Sequence, residues 1–245
     1  MTILDSILEG DCLDRLPEIP VGTVDLAYMD PPFATGRRQS GRDGHAYEDT
    51  WASVGSWIEF MRPRLAATID TLSVTGAILV HCDWRTSHHV RVMLDELLGP
   101  EQFQNHLVWQ YGLGGSSARR FARKHDDILY YTASSEWYFE PPMVPATSQR
   151  MRGQMKKATD ILDVPAINNM AHERTGWPTQ KPIDLLRLLI DACCPPGGVV
   201  LDPMCGSGTT LEAAAASGRH YHGIDRSMDA TAIARARIAG ALVGA

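Results

Sequence analysis

The stretch Val199-Val200-Leu201-Asp202-Pro203-Met204-Cys205-Gly206-Ser207-Gly208-Thr209-Thr210 limits the possible folds of this chain more than any other. Its apolar start predicts a buried strand, its glycines a tight turn, and Thr209 to Ala216 an alanine-rich helix closed by Gly218. Tyr221-His222-Gly223-Ile224 supplies the next strand, and Asp225 stands at its end. Glycines let the backbone come close to a ligand, and a helix start offers unpaired N–H groups. An acid at the following strand end can accept hydrogen bonds from ribose hydroxyls. The segment therefore reads as a nucleoside-binding βαβ unit, with a plain tight turn as the alternative.

Two nucleotide classes are excluded. Leu211 stands where a dinucleotide fold needs its third glycine, and no Gly-Lys-Ser/Thr follows for a phosphate loop. Asp202, just ahead of the glycines, would repel a pyrophosphate and suit a cationic ligand such as a sulfonium.

The rest of the chain alternates strand and helix. Val24 to Met29 reads as a strand that runs into Asp30-Pro31-Pro32-Phe33, because two prolines cannot continue a central strand. Residues 34–50 have no apolar period and read as a mobile loop. Ile58, Met61, Leu65, Ile69 and Leu72 predict a helix from Trp57 to about Leu72. Strands are expected at 76–81, 107–109 and 128–131, and helices at 86–98, from Pro182 to Ile190, and from Met228 to Ile238. This order predicts an α/β fold with a doubly wound, mostly parallel sheet. Residues 133–175 are polar, proline-bearing and basic, and read as an insert between a catalytic domain's two parts, 1–132 and 176–245.

In such a sheet the Asp30 turn lies at the carboxyl edge, where ligands bind. Asp30, the Pro31 carbonyl and the Phe33 ring together match a planar base with an exocyclic amine. A rigid turn with a capping Asp is the alternative. The formal charge of −6 argues against a polyanionic partner, but its distribution does not. Residues 116–157 hold eight basic side chains, Arg119, Arg120, Arg123, Lys124, Arg150, Arg152, Lys156 and Lys157, against four acidic ones. No window approaches 18 apolar residues, so no membrane span is expected, and the start shows no secretory signal. The five scattered cysteines fit neither a disulfide framework nor a zinc site, and a reducing cytoplasm with no metal is expected.

The Asp-Pro-Pro-Phe turn and Asp-Pro-Met-Cys-Gly-Ser-Gly-Thr-Thr together resemble the amino-group DNA methyltransferases that use S-adenosylmethionine. The catalytic turn comes first and the cofactor turn last, which is similar to the beta class, a circular permutation of the usual methyltransferase order. The resemblance covers roughly residues 7–240 and implies a permuted Rossmann-like methyltransferase fold. Its members acting on cytosine N4 tend to carry Ser at the position of Asp30, so adenine N6 is implied, with cytosine N4 as the alternative. RNA and protein methyltransferases usually carry Asn there and place the cofactor motif first.

Carried onto this chain, the resemblance makes Asp30, Pro31, Pro32 and Phe33 the catalytic turn. Asp202, Cys205, Gly206, Ser207, Gly208 and Thr209 would line the methionine part of the cofactor, and Asp225 would take the ribose. Thr179-Gln180-Lys181-Pro182 would meet the methionine end, and Gly10-Asp11 the adenine. Phe is usual where Met204 stands, an apolar exchange. Asn105 to Tyr131 would flank the target pocket. The partner implied is double-stranded DNA. Its phosphates would lie on the basic segment, its major groove on 133–175, and Arg37, Arg38 and Arg42 would close over the base or touch the backbone. Dimerisation is common in that family. Other readings stay open: Lys181 as a surface lysine, Asp11 as a helix cap, Trp109 as core and His125 as structural.

Overall fold

The computed structural model describes residues 4–41, 44–112, 116–146, 150, 152–168, 171 and 173–243, so Arg42 lies outside the described residues. Among the described residues the main sheet has eight strands in the order β1-β12-β11-β2-β5-β7-β6-β10. These are β1 (Ser6–Glu9), β2 (Val24–Met29), β5 (Leu72–Cys82), β6 (Phe103–Gln110), β7 (His125–Thr132), β10 (Ile161–Asp163), β11 (Val199–Asp202) and β12 (His220–Asp225). All run in one direction except β7, which pairs antiparallel with both β5 and β6.

Side chains of a strand alternate between faces, and here both faces are apolar. Leu26 and Tyr28 of β2 pack with Leu185, Leu186 and Leu189 of α4 (Ile183–Cys193), Leu211 and Ala214 of α5 (Thr209–Ala216), and Ile238 of α6 (Met228–Val243). Ala27 and Met29 pack on the other face. Their neighbours there include Trp57, Met61 and Leu65 of α2 (Val54–Ile69) and Val90, Met93 and Leu94 of α3 (Ser87–Leu98). Each of these buried leucines contributes roughly 1.5–3 kcal/mol. The α2 helix starts on a capping box in which Ser53 and Ser56 bond each other's backbone N–H. All five cysteines are buried and free. No helix among the described residues is long and apolar enough to cross a membrane.

The chain departs from its sequence reading in several places. The helix expected to reach about Leu72 ends at Ile69, Leu72 instead opens β5, and β1 has no counterpart in that reading. Residues 34–50 contain a two-stranded hairpin, β3 (Arg37–Ser40) and β4 (Ala46–Asp49), in place of the expected mobile loop. A hairpin lying over a site is polar on its outer side, so it shows no apolar period. Residues 133–175 are not wholly an insert. Met143–Pro145 (β8) and Met155–Lys157 (β9) form a separate antiparallel pair, but β10 joins the main sheet beside β6 and buries Leu162. Three residues are too few to carry a readable period.

At the start of α5, Gly208 has φ +77° and its α-carbon lies against α6. A Cβ there would come within 2.6 Å of the Ala234 side chain and 3.0 Å of its backbone. Gly208→Ala is expected to lose roughly 2–4 kcal/mol of stability from backbone strain and overpacking combined. Urea denaturation monitored by circular dichroism measures this, and an unchanged midpoint would contradict the packing described.

Candidate active site

Because β1, β12, β11, β2 and β5 run parallel, their carboxyl ends share one edge. The Asp11 turn follows β1, Asp225 ends β12, Asp202 ends β11, and Asp30 follows β2. Strands β11 and β2 are direct neighbours, although most of the chain separates Asp202 from Asp30 in sequence. The chain leaves β2 towards α2 on one face and leaves β11 towards α5 on the other. A crevice opens at such a switch point.

One cleft there is lined by both turns, with Asp30 and Pro32 on one side and Asp202, Cys205, Gly206, Ser207 and Thr209 on the other. Asp11, Thr179, Gln180, Lys181 and Asp225 complete its wall together with Trp177 and Arg64. A second cavity adjoins it, lined by Asp30, Pro31, Phe33, Thr35, Gln39, Asp49 and Asp126. Asp30, Tyr47, Thr179 and Lys181 line both. The Asp30 carboxylate thus stands in the partition between two spaces.

That carboxylate is held by the Lys181 ammonium, which donates to Oδ2 and lies 5.2 Å from the centre of the Phe33 ring. Lys181 is buried, so the surface-lysine reading is set aside. The rest of the turn is fastened from elsewhere. The Trp57 indole N–H donates to the Pro32 carbonyl at 2.8 Å. Asp49, 1 % exposed, accepts from Ala34 N–H at 2.9 Å, Thr35 N–H at 3.0 Å, the Thr35 hydroxyl at 2.6 Å and the Trp51 indole at 3.1 Å. Ala34 has φ +55° and Thr179 φ +59°, left-handed conformations that a side chain disfavours. Both are restrained from β4, Ala34 by Asp49 and Thr179 by the Tyr47 hydroxyl at 3.2 Å. Residues 47 and 49 fall on one face of the strand, as its two-residue period requires.

In the glycine turn, Gly206 (φ +50°) lies so close to the Trp177 indole that a Cβ would approach its nitrogen to 3.0 Å. Asp225 accepts from Gly206 N–H at 2.9 Å and Ser227 N–H at 2.8 Å. Burial raises its pKa, partly offset by these two donors. Asp202 accepts from Met204 N–H at 3.1 Å. Burial pushes its pKa up to about 7, with the Asp30 and Asp225 carboxylates adding to the rise and the Thr210 hydroxyl opposing it. Asp11 is both a helix cap, accepting from Leu13 N–H at 3.0 Å, and the ion-pair partner of Arg64 at 2.6 Å. Burial works to raise its pKa, but these partners outweigh it and hold the carboxyl below its usual range.

Several residues do work other than lining. Gly208 packs on α6 rather than on the cleft. The Thr209 hydroxyl accepts from Arg237 at 2.8 Å, and Gln180 spends its amide on Thr175 and Glu173. Trp109 is buried core, its indole donating to the Val164 carbonyl at 2.8 Å. His125 is about half exposed and 3.8 Å from Asp127. Arg119, Arg120, Arg123, Arg150, Arg152 and Lys157 are exposed, while Lys124 and Lys156 are half-buried.

Sequence reasoning missed a buried relay beneath Phe33. The Tyr28 hydroxyl meets His81 Nδ1 at 2.7 Å, His81 Nε2 meets Asp126 at 3.3 Å, and Asp126 accepts from the Tyr111 hydroxyl at 3.0 Å. The imidazole is fully buried and stacks on Phe33 at 5.7 Å between ring centres. These residues sit on different strands with no shared spacing, so only the sheet order brings them together.

The sheet order with its reversed β7, and a cleft that joins an acidic turn to a glycine turn, define a Rossmann-like methyltransferase fold with the acidic turn ahead of the glycine turn in sequence. Within that class, residues 24–236 match the DNA methylase family of N6 and N4 enzymes, and the chain belongs to that family. It is 27% identical over 291 aligned positions to the type II methyltransferase M.EcaI of Enterobacter cloacae, covering 87% of this chain and 64% of that protein. The chain thus spans less than two thirds of that relative's length. A putative DNA modification methylase from Thermus thermophilus, solved with S-adenosyl-L-methionine, superposes with TM-score 0.70 at 19% identity, covering 98% of this chain and 96% of that one. The cytosine-N4-specific PvuII DNA methyltransferase superposes with TM-score 0.71 at 14% identity, covering 97% of this chain and 87% of that one.

The raised pKa of Asp202 carries a prediction. Its carboxyl is neutral in the fold below about pH 7 but ionises near 3.8 when unfolded. Its contribution to stability is therefore fully present below about pH 4 and is lost as pH rises to about 7. Asp202→Asn, which keeps the acceptor for Met204, should gain thermal stability over the parent across that window and hold a constant gain above it. Melting curves of the two proteins over a pH series measure the gap, and a gap independent of pH would refute the shift.

Proposed function

We propose that this chain transfers a methyl group from S-adenosylmethionine to the exocyclic N6 of an adenine extruded from duplex DNA. The observation that carries this reading is the position of Asp30 in the wall between two adjoining cavities. One cavity suits the cofactor and the other a planar base.

The cofactor fit rests on the chemistry of the cleft. Asp202 and Asp225 are held by N–H and O–H donors, and among the described residues neither forms an ion pair, although Arg226 lies near enough to Asp225 to oppose the rise of its pKa; a cationic ligand would favour their ionised forms further. Arg64 and Lys181 are already paired with carboxylates. Gly206, Ser207 and Cys205 would border the methionine part, Asp225 the ribose, and Asp11 the adenine. When bound, S-adenosylmethionine supplies a methyl group already activated on a sulfonium.

This chain's share is to hold the amine. Its nitrogen is a poor nucleophile because the lone pair is delocalised into the ring. Asp30 and the Pro31 carbonyl each accept one N–H, which favours a pyramidal nitrogen with its lone pair turned towards the cleft. Phe33 stacks on the base. Lys181 keeps the Asp30 carboxylate in place as an acceptor, and the amine, once it has taken the methyl group, passes its proton by way of the Asp30 carboxylate to solvent. Positioning of this kind can supply up to ~7–11 kcal/mol. Extruding the base costs a few kcal/mol. Arg119, Arg120, Arg123, Lys124, Arg150, Arg152, Lys156 and Lys157 would offset that cost on phosphates. Residues 133–175 would read the major groove.

The second reading is cytosine N4, favoured by the fold's likeness to a cytosine-N4-specific enzyme. Single-molecule sequencing of DNA from cells expressing the chain reports modified base and motif together. N6-methyladenine at one short sequence is expected, and N4-methylcytosine alone would overturn the adenine assignment.

Asp30→Ala, which removes the acceptor, should reduce transfer about a hundred- to a thousandfold while S-adenosylmethionine binding by calorimetry changes little. Turnover equal to the parent would remove Asp30 from its role. Replacing Arg119, Arg120 and Arg123 with Gln should shrink the salt slope of DNA binding by about 0.9 for every phosphate no longer neutralised. An identical slope would place DNA on another surface.

A further inference from the structure

We propose that Phe121 enters the base stack of the duplex and fills the place left by the extruded nucleotide. This inference rests on the base-extruding reading given above and adds a part for a residue outside both cavities.

Phe121 is 98 % exposed, the most exposed of the large apolar side chains among the described residues. It contributes nothing to the core, and its ring lies in water in the free protein. Its place in the fold gives it a use. Tyr111 and Gly112 follow β6 and residues 116–124 precede β7, so Phe121 belongs to the stretch that enters β7 at the sheet edge carrying the Asp30 turn. Its base is tied to the cavity that suits the target base, since Tyr111 donates to Asp126, which lines that cavity. Phe121 comes shortly before Asp126 in the chain, and the extended length of the intervening residues limits the distance between their α-carbons to about 18 Å.

The segment leading back into β7 is anchored rather than free. The Arg123 guanidinium lies 3.4 Å from the centre of the Trp84 ring, and Arg85 covers the same ring at 4.8 Å. Trp84 closely follows β5, so the anchor belongs to the sheet. Around Phe121, Arg119, Arg120 and Arg123 are exposed. An apolar ring among cations is complementary to a duplex, whose phosphates are anionic and whose base steps are apolar. Apolar side chains entering between base steps unstack them, and aromatic rings stack on bases of any sequence. Extrusion leaves two stacking faces uncovered, and a phenyl ring covers them.

The test uses duplexes carrying the motif found by the sequencing above, with the target base either paired or facing an abasic position. The unmutated chain is compared with Phe121→Ala and Phe121→Trp in single-turnover methyl transfer. Phe121→Ala should slow transfer to the paired target roughly ten- to hundredfold, in line with the stacking removed. It should fall within about twofold of the parent on the abasic duplex, where the base is already loose. Phe121→Trp should keep most of the rate on both. A Phe121→Ala rate equal to the parent's on the paired target, or equally slowed on both duplexes, overturns the proposal. If the unmutated chain methylates neither duplex, the methyltransferase reading fails, and the insertion falls with it.

Discussion

The ion pair between Lys181 and Asp30 joins the acidic turn after β2 to the segment that leads into α4, and the geometry of the cleft depends on it. The partners lie 151 positions apart in sequence, and both are largely shielded from water. A pair of this kind gains little net stability over an apolar replacement, yet losing one partner strands a charge at a cost of ~3–5 kcal/mol. Its value is therefore in geometry. It fixes one carboxylate oxygen at the boundary between the two adjoining cavities.

The hairpin of β3 and β4 serves the same boundary from above. Left-handed backbone at Ala34 and Thr179 costs of order 1–3 kcal/mol each and persists only where the surroundings over-determine it. Tyr47 and Asp49, on one face of β4, reach the two turns on which these residues lie. Asp49 concentrates four donors on one buried carboxylate. Beneath the turn, the Tyr28–His81–Asp126–Tyr111 relay supports the Phe33 ring. The Asp30 turn is thus restrained from the hairpin, from α2 through Trp57, from the relay beneath it and from Lys181.

Much of this was legible in the sequence, for physical reasons. Buried parallel strands are continuous apolar runs, so β2, β11 and β12 could be read with their acidic ends, and those ends necessarily converge once the strands are parallel. Glycines at 206 and 208 announced a turn, though only the packing separates their uses: Gly206 faces Trp177 and the cleft, Gly208 faces α6. The hairpin and β10 were not legible, because a polar clamp and a three-residue edge strand carry no period. Nor was the partner of Lys181. Pairing across such a distance is set by strand order, which no local pattern contains.

The reversal of β7 has a consequence for how such a molecule can diversify. A parallel neighbour would require a crossover returning to the far edge of the sheet. The antiparallel β6–β7 pair needs no such crossover, and its register is held by backbone bonds from Phe103 to Gln110 against His125 to Tyr131. Residues can be added or removed between the two strands while Trp109 and Asp126 keep their positions. The connection can therefore vary over generations while the ladder beneath it keeps the cavity wall constant.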